Sequence, residues 1–366
     1  MGDTEIMIIM AIIGLLGSFA LSAILTALVR PLALKLGLVS LPRADRYNRS
    51  VIPMGGGIAI FGTMLAGIIS AMVGFGIVAG RMGLSPADFA ARQDELLAMT
   101  ACASALFILG LWDDKKRLGP LPKLIVQCLV AIAAATLADV RVEFFIENRL
   151  ATSLLSALWI VLMMNVFNFL DNMDGACAGI AAIVSSILLV AAVLSGQVLV
   201  GGLALMFIGV LLGFLVFNFP PARIFMGDAG SLVVGFFIAV LSLRTTYYHQ
   251  AGSGRWYPVL MPLIALAVPL YDFVSVTTLR LRQGKSPFVG DTQHFSHRLR
   301  RRGLTDTQTA LTLYLATLGT GLGATFLYQV SSVGAILVFA QTFMILAIVA
   351  ILEIHVGHDE VPDTTP

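Results

Sequence analysis

From Ile6 to Val29 the chain carries no charged residue, and runs of this kind recur to the last third of the sequence. A helix needs about 20 apolar residues to cross a bilayer core, and backbone polar groups must be satisfied inside the segment. The runs fall near 6–29, 54–79, 98–112, 121–138, 151–166, 176–194, 198–217, 231–244, 256–280, 309–329 and 332–354. The expected fold is therefore an all-α polytopic membrane protein with about 11 transmembrane helices. Only 12% of the residues are charged and the mean hydropathy is +0.92, against about 25% charged in soluble domains. A soluble globule is excluded. The net charge of +2 gives no support to a nucleic-acid partner. One integral-membrane domain is expected over 1–355, followed by a polar, disordered tail at 356–366.

Lys and Arg orient such a chain. With the N-terminus outside, 17 of them fall on the inner side and 6 on the outer side. The reading is N-out and C-in, with an odd number of spans. The opening Gly-Asp-Thr-Glu lacks a basic region, so the first run reads as a spanning helix rather than a signal peptide. The stretch 80–98 has an amphipathic helical pattern suited to the interface. The stretch 140–149 alternates weakly and reads as a short hairpin. Cys102, Cys128 and Cys177 lie in or beside apolar runs and read as packing residues.

This orientation sorts the acids. Asp113 and Asp114 follow the third run, Asp171 and Asp174 the fifth, Asp228 the seventh, and Asp291, His294 and His297 the ninth. Four loops thus present carboxylates, Asn and His at one face. Only Asp272 lies inside a run, near its cytoplasmic end. A transporter places ionisable groups near the midplane. A polar rim instead suits a water-soluble substrate meeting a lipid head group. Asn165, Asn168 and Asp171, spaced by three, would share one helical face. Unpaired there, each would cost several kcal/mol in hydrocarbon. Asn218 to Ser231 combines Pro220, Pro221, Gly227 and Gly230 with Asp228, a turn that can approach a ligand closely. In the basic segment 284–304, His294, His297 and Arg298 can bind phosphate oxygens, and Arg300 to Arg302 suit an anionic lipid surface. Thr305 and Gln308 form a capping-box pattern. Carboxylates without Cys favour a hard cation such as Mg²⁺.

These motifs resemble the polyprenyl-phosphate N-acetylhexosamine-1-phosphate transferases. The resemblance rests on Asp113-Asp114, Asn165 to Gly175, Asn218 to Ser231, Pro269-x-x-Asp272, and Gly284 to Phe288 running on to His297-Arg298-Leu299. It covers about residues 10–330. It implies a cytoplasmic, Mg²⁺-dependent site (with Mn²⁺ as a substitute) in a bacterial inner membrane. The donor would be a UDP-N-acetylhexosamine, the acceptor undecaprenyl phosphate, and UMP the leaving product. Carried over by position, Asp228 and Asp174 would hold the metal. Asp113 and Asp114 would sit at the acceptor phosphate. Asn168, Asp171 and Asp174 would hold the donor, Asn165 and Asp272 would bind substrate, and Asn218 and Phe225 would line the nucleotide pocket. His294, His297 and Arg298 would bind the diphosphate or sugar. Ser296 stands where many relatives carry His, and Ser40, Asp45, Arg46 and Asn48 stand at first-loop positions that are usually Asp, Arg, Lys and His. The last loop resembles the N-acetylglucosamine branch. Direct attack by the lipid phosphate is the expected mechanism and a covalent aspartyl intermediate its rival. A lipid-linked-sugar flippase and an inactive binding relative are the other functional readings. A homodimer is the expected assembly if the chain is not a monomer.

Overall fold

The computed structural model describes residues 3–40, 51–78, 86–116, 118–142, 148–245, 256–286 and 294–354. These residues are almost entirely helical. In chain order they form α1 (Asp3–Lys35), α2 (Gly56–Val78), α3 (Pro86–Lys116), α4 (Pro120–Leu137), α5 (Arg149–Leu170), α6 (Ala176–Leu194), α7 (Val198–Asn218) and α8 (Asp228–Arg244). A 3₁₀ turn, Tyr257–Leu260, leads into α9 (Met261–Ala265) and α10 (Ala267–Arg282). The series closes with α11 (Phe295–Arg301), α12 (Asp306–Phe326) and α13 (Ser332–Ile354).

Each expected apolar run becomes helix, and the differences have local causes. Among the described residues, 8 helices are long and apolar enough to cross a membrane, or 9 if α9 and α10 count as one bent span. The helices α8 and α12 fall outside that set. Helix α8 has 17 residues, but from Ala229 to Ser242 all are buried. Protein surrounds it, so it need not match the thickness of the lipid. Helix α12 is rich in threonine. Of the stretch 80–98, residues 86–98 are helical as expected and continue directly into the next span, while 80–85 lie outside the described residues. Helix α3 starts at Pro86, a favourable first helical position, and runs unbroken to Lys116. The expected single span 256–280 is bent by 64° between α9 and α10. Pro269 has no N–H to return to the preceding turn, which weakens the helix at this point.

At 140–149 the described residues form no strand, and 143–147 lie outside the described residues. Asn148 instead caps α5, its Oδ1 accepting from the amides of Leu150 and Ala151 at 3.0 and 3.1 Å. The Thr305–Gln308 capping box is present at the start of α12. A two-residue antiparallel pair, β1 (Val39–Ser40) with β2 (Ile52–Pro53), was not expected. The tail 356–366, Asp45, Arg46, Asn48 and Asp291 lie outside the described residues. The three cysteines are free, with Cys102 and Cys177 buried and Cys128 half-buried.

Helix α8 is the axis of the core and packs against α2, α3, α5 and α6. Phe236, Phe237 and Phe207 are buried around it. Large apolar side chains such as Ile108, Leu129, Leu158 and Phe343 are exposed on the periphery, which fits a lipid solvent. Polar groups gather at the two ends. At one end Arg244 of α8 pairs with Glu95 of α3 at 2.5 Å and donates to the Asp139 carbonyl at 3.2 Å. Asp139 also pairs with Arg141 at 2.6 Å. The other end of the same helices carries Asp113, Lys123, Asn168 and Asp228.

Candidate active site

The N-terminus of α8 is the centre of this second polar end. The turn before it places Gly227 at φ 72°, a conformation that suits glycine. The orphan amides of a helix start need acceptors, and Asp114 supplies them. Its Oδ1 accepts from the Asp228 amide at 2.8 Å and its Oδ2 from the Ala229 amide at 3.2 Å. Asp114 is thus a cap delivered from the C-terminal turn of α3. Close approach of the helices makes this possible. Gly110 of α3 lies against the backbone of Asp228 and Ala229, and Gly57 of α2 lies against Ala229 and Gly230.

Asp228 is half-buried and engaged on both oxygens. Its Oδ1 accepts from Asn168 Nδ2 at 3.0 Å, and its Oδ2 accepts from Lys123 Nζ. Asn168 also donates to Ser231 Oγ at 2.9 Å. Lys123 donates at the same time to Asp113 Oδ2 at 3.2 Å, and Asp113 Oδ1 accepts from the Leu118 amide at 2.5 Å. Four helices, α3, α4, α5 and α8, therefore contribute to one hydrogen-bonded unit. Lys123 and Ser231 were not among the expected site residues.

The turn after α5 forms a second group. Asp171 caps the helix end, its amide donating to the Phe167 carbonyl at 3.2 Å. Asp174 is half-buried, and its Oδ2 accepts from the Ala222 amide at 2.8 Å. Burial raises its carboxyl above the usual carboxylate range, with Asp306 adding to that rise and the Ala222 amide and Arg300 opposing it. Asp174 thus binds the loop between α7 and α8 rather than the Asp228 unit. Asn218 is buried and spends its amide on backbone, accepting from Gly175 N at 3.1 Å and donating to the Ile224 carbonyl at 2.9 Å. Phe225 is half-buried and pairs through its backbone, its amide donating to the Pro53 carbonyl at 2.9 Å. The segment after β2 thereby covers the Phe-Met-Gly-Asp turn. Asn165 does not reach Asp228 although Asn168 does. It donates to Gln127 Oε1 at 2.8 Å and ties α5 to α4.

A third group holds the basic segment. Asp272 is buried in α10. Its Oδ2 meets His294 Nδ1 at 3.0 Å and its Oδ1 accepts from the Phe295 amide at 2.7 Å, so it grips the start of α11. Ser296 Oγ donates to Asn172 Oδ1 at 2.6 Å, and Arg298 Nη2 donates to Ser275 Oγ at 2.9 Å. His297 is buried, and burial, helped by His294, Arg300 and Arg301, pulls its pKa down to about 4. It is neutral at pH 7. The Phe169 ring joins this group to α5, with the Arg280 guanidinium 5.0 Å and the His294 ring 5.8 Å from its centroid. Removing the shared acceptor would leave the buried His294 ring nitrogen and the Phe295 amide without it, at a cost of roughly 1–3 kcal/mol for each unsatisfied group. Asp272→Ala is therefore expected to free α11, to speed limited proteolysis of the 284–304 segment, and to reduce activity at least about tenfold. Unchanged proteolysis would show that α11 is held by its other contacts alone.

Among the described residues, no three His, Cys, Asp or Glu side chains converge as a metal cage. Around Asp228 stand the Asp113 carboxylate, the Asn168 amide, the Ser231 hydroxyl and, on Asp228 Oδ2, the Lys123 ammonium, so the group holds two carboxylates and no sulfur. That fits Mg²⁺, which takes one or two carboxylates and completes its shell with water and substrate phosphates.

Residues 96–246 match the family model described as glycosyl transferase family 4. A probable undecaprenyl-phosphate N-acetylglucosaminyl 1-phosphate transferase of Bacillus subtilis (strain 168) is 32% identical over 300 residues, 80% of this chain and 78% of the relative. Undecaprenyl-phosphate alpha-N-acetylglucosaminyl 1-phosphate transferases of Yersinia pestis and Escherichia coli (strain K12) are 27% and 28% identical. They cover 90% and 82% of this chain, and 86% and 80% of their own lengths.

Proposed function

The chain belongs to glycosyl transferase family 4, on the undecaprenyl-phosphate N-acetylglucosaminyl 1-phosphate transferase branch, and from that premise we propose that it moves N-acetylglucosamine-1-phosphate from UDP-N-acetylglucosamine to undecaprenyl phosphate, releasing UMP. The observation that carries this reading is the joining of Asp113, Asp114, Asn168 and Asp228 at the start of α8, with the histidine and arginine segment of α11 tied to the same end of α5 through Phe169 and Asn172. Acids that can hold a cation and bases that can hold phosphate are thus both attached to the end of α5. The excess of Lys and Arg at this end supports a cytoplasmic active site, N-out and C-in, in a bacterial inner membrane.

Phosphoryl transfer asks mainly for positioning and charge neutralisation. Asp228, with Asn168 and Asp113 near it, would hold Mg²⁺, which supplies neutralisation of the diphosphate when bound. Asp114 acts through the backbone of α8 and positions Asp228. Asp113, which accepts from one amide and from the Lys123 ammonium, is the acid left to meet the acceptor phosphate. Asp174, committed to Ala222, braces the loop in this reading and is not a metal ligand. Asp171 and the neutral imidazole of His297 face the donor's sugar and phosphates as hydrogen-bonding groups, and Arg298 supplies charge.

Purified protein, labelled UDP-N-acetylglucosamine, undecaprenyl phosphate and Mg²⁺ should yield lipid-extractable label. No label with any UDP-hexosamine would sink the proposal. Direct attack by the lipid phosphate further predicts that a single turnover without acceptor releases no UMP. Stoichiometric release would establish a covalent aspartyl intermediate instead.

A further inference from the structure

Lys123 is a half-buried cation that this chemistry does not use. Its side chain is 15% exposed, and its ammonium bridges Asp113 and Asp228. Asp114 lies on the far side of the same α8 turn. Two carboxylates thus share one ammonium, and a third, Asp114, is held beside them by the α8 amides. Carboxylates packed this closely repel each other strongly at low dielectric, so a positive charge between them holds the unit together. The position is not neutral toward a metal. Of the two oxygens of Asp228, one accepts from Asn168 and the other from Lys123.

We propose that Lys123 is the resident counter-ion of the carboxylate site, and that a divalent cation enters by displacing its ammonium from Asp228 while the lysine keeps Asp113. The proposal rests on the assignment of the metal to Asp228 made above. No covalent bond changes, since one cation replaces another on a carboxylate oxygen. Two consequences follow. The protein alone binds the cation weakly, because the cation must compete with a tethered charge. Affinity rises when a nucleotide diphosphate brings its own oxygens and negative charge, so cation and donor arrive as a pair.

The test is Mn²⁺ binding to the detergent-purified full-length chain, followed by the paramagnetic resonance of free Mn²⁺. Wild type, Lys123→Met and Asp228→Asn are compared without substrate. The Lys123→Met protein is expected to bind Mn²⁺ at least about tenfold more tightly than wild type, and Asp228→Asn to lose the site. Equal or weaker binding by Lys123→Met, with the site still lost in Asp228→Asn, overturns the exchange and leaves the metal assignment standing. No saturable Mn²⁺ site in wild type or Lys123→Met overturns the metal assignment and the exchange with it. Should the methionine variant fail to fold, Lys123→Gln keeps a neutral polar group in the cavity. Mg²⁺ should then raise its melting temperature by more than that of wild type, and an equal rise overturns the proposal.

Discussion

Asp228→Asn is expected to lower the transfer of label to lipid by roughly 10³-fold or more while the protein still folds. The substitution keeps the volume and the hydrogen-bonding shape of the side chain. Asn168 still has Ser231 Oγ at 2.9 Å and Lys123 still has Asp113 at 3.2 Å, so the neighbours are not stranded. The α8 cap is untouched, because Asp114 binds the backbone of residues 228 and 229 rather than the side chain. What disappears is the negative charge at the junction of four helices. Activity, helicity and melting temperature measured on one preparation separate a chemical loss from a folding loss. Activity within tenfold of wild type would remove Asp228 from the centre of the reaction.

The second large effect comes from a residue without a side chain. A Cβ on Gly110 would lie 2.5 Å from the Asp228 carbonyl carbon, with the Ala229 amide closer still. Backbone cannot rotate away as a flexible side chain can, so α3 and α8 must separate. Asp114 then loses its grip on the α8 amides and Asp228 moves relative to Asn168. Displacement of a reacting group by about 1 Å can cost about 10²-fold in rate. Gly110→Ala is therefore expected to lower activity about 10²-fold and to reduce the melting temperature. Gly62→Ala is the matched control, since its Cβ would meet only Leu25 Cδ1 at 3.7 Å. Equal activity of the two variants would refute tight coupling between α3 and α8.

Much of the site could be read one segment at a time. Asn168 and Asp228 stand in short polar motifs at the ends of apolar runs, where an unpaired amide or acid would be costly, so some shared use was foreseeable. Lys123 was not, because it lies 105 residues from Asp228 and its Pro-x-Pro-Lys setting reads as an ordinary helix start. Asn165 shows the opposite failure. Its spacing from Asn168 placed both on one face, but α5 is wedged between α4 and α8, so the two side chains point to different neighbours. Asp272 stood out as the one acid inside an apolar run, yet only the fold shows that it clamps the start of α11.

The apolar runs and polar segments by themselves determined that the chain is a helical membrane protein with its carboxylates gathered on one side. Those outcomes depend on the solvation of each segment, a local quantity carried by its own residues. Tertiary structure alone decided that α8 is the buried axis, that Asp114 is a cap while Asp113 and Asp228 share a lysine, and that Asp174 braces a loop. These depend on which backbones approach closely enough for glycine to be required, and on which partner meets each buried charge. Distant parts of the chain supply those partners only after packing.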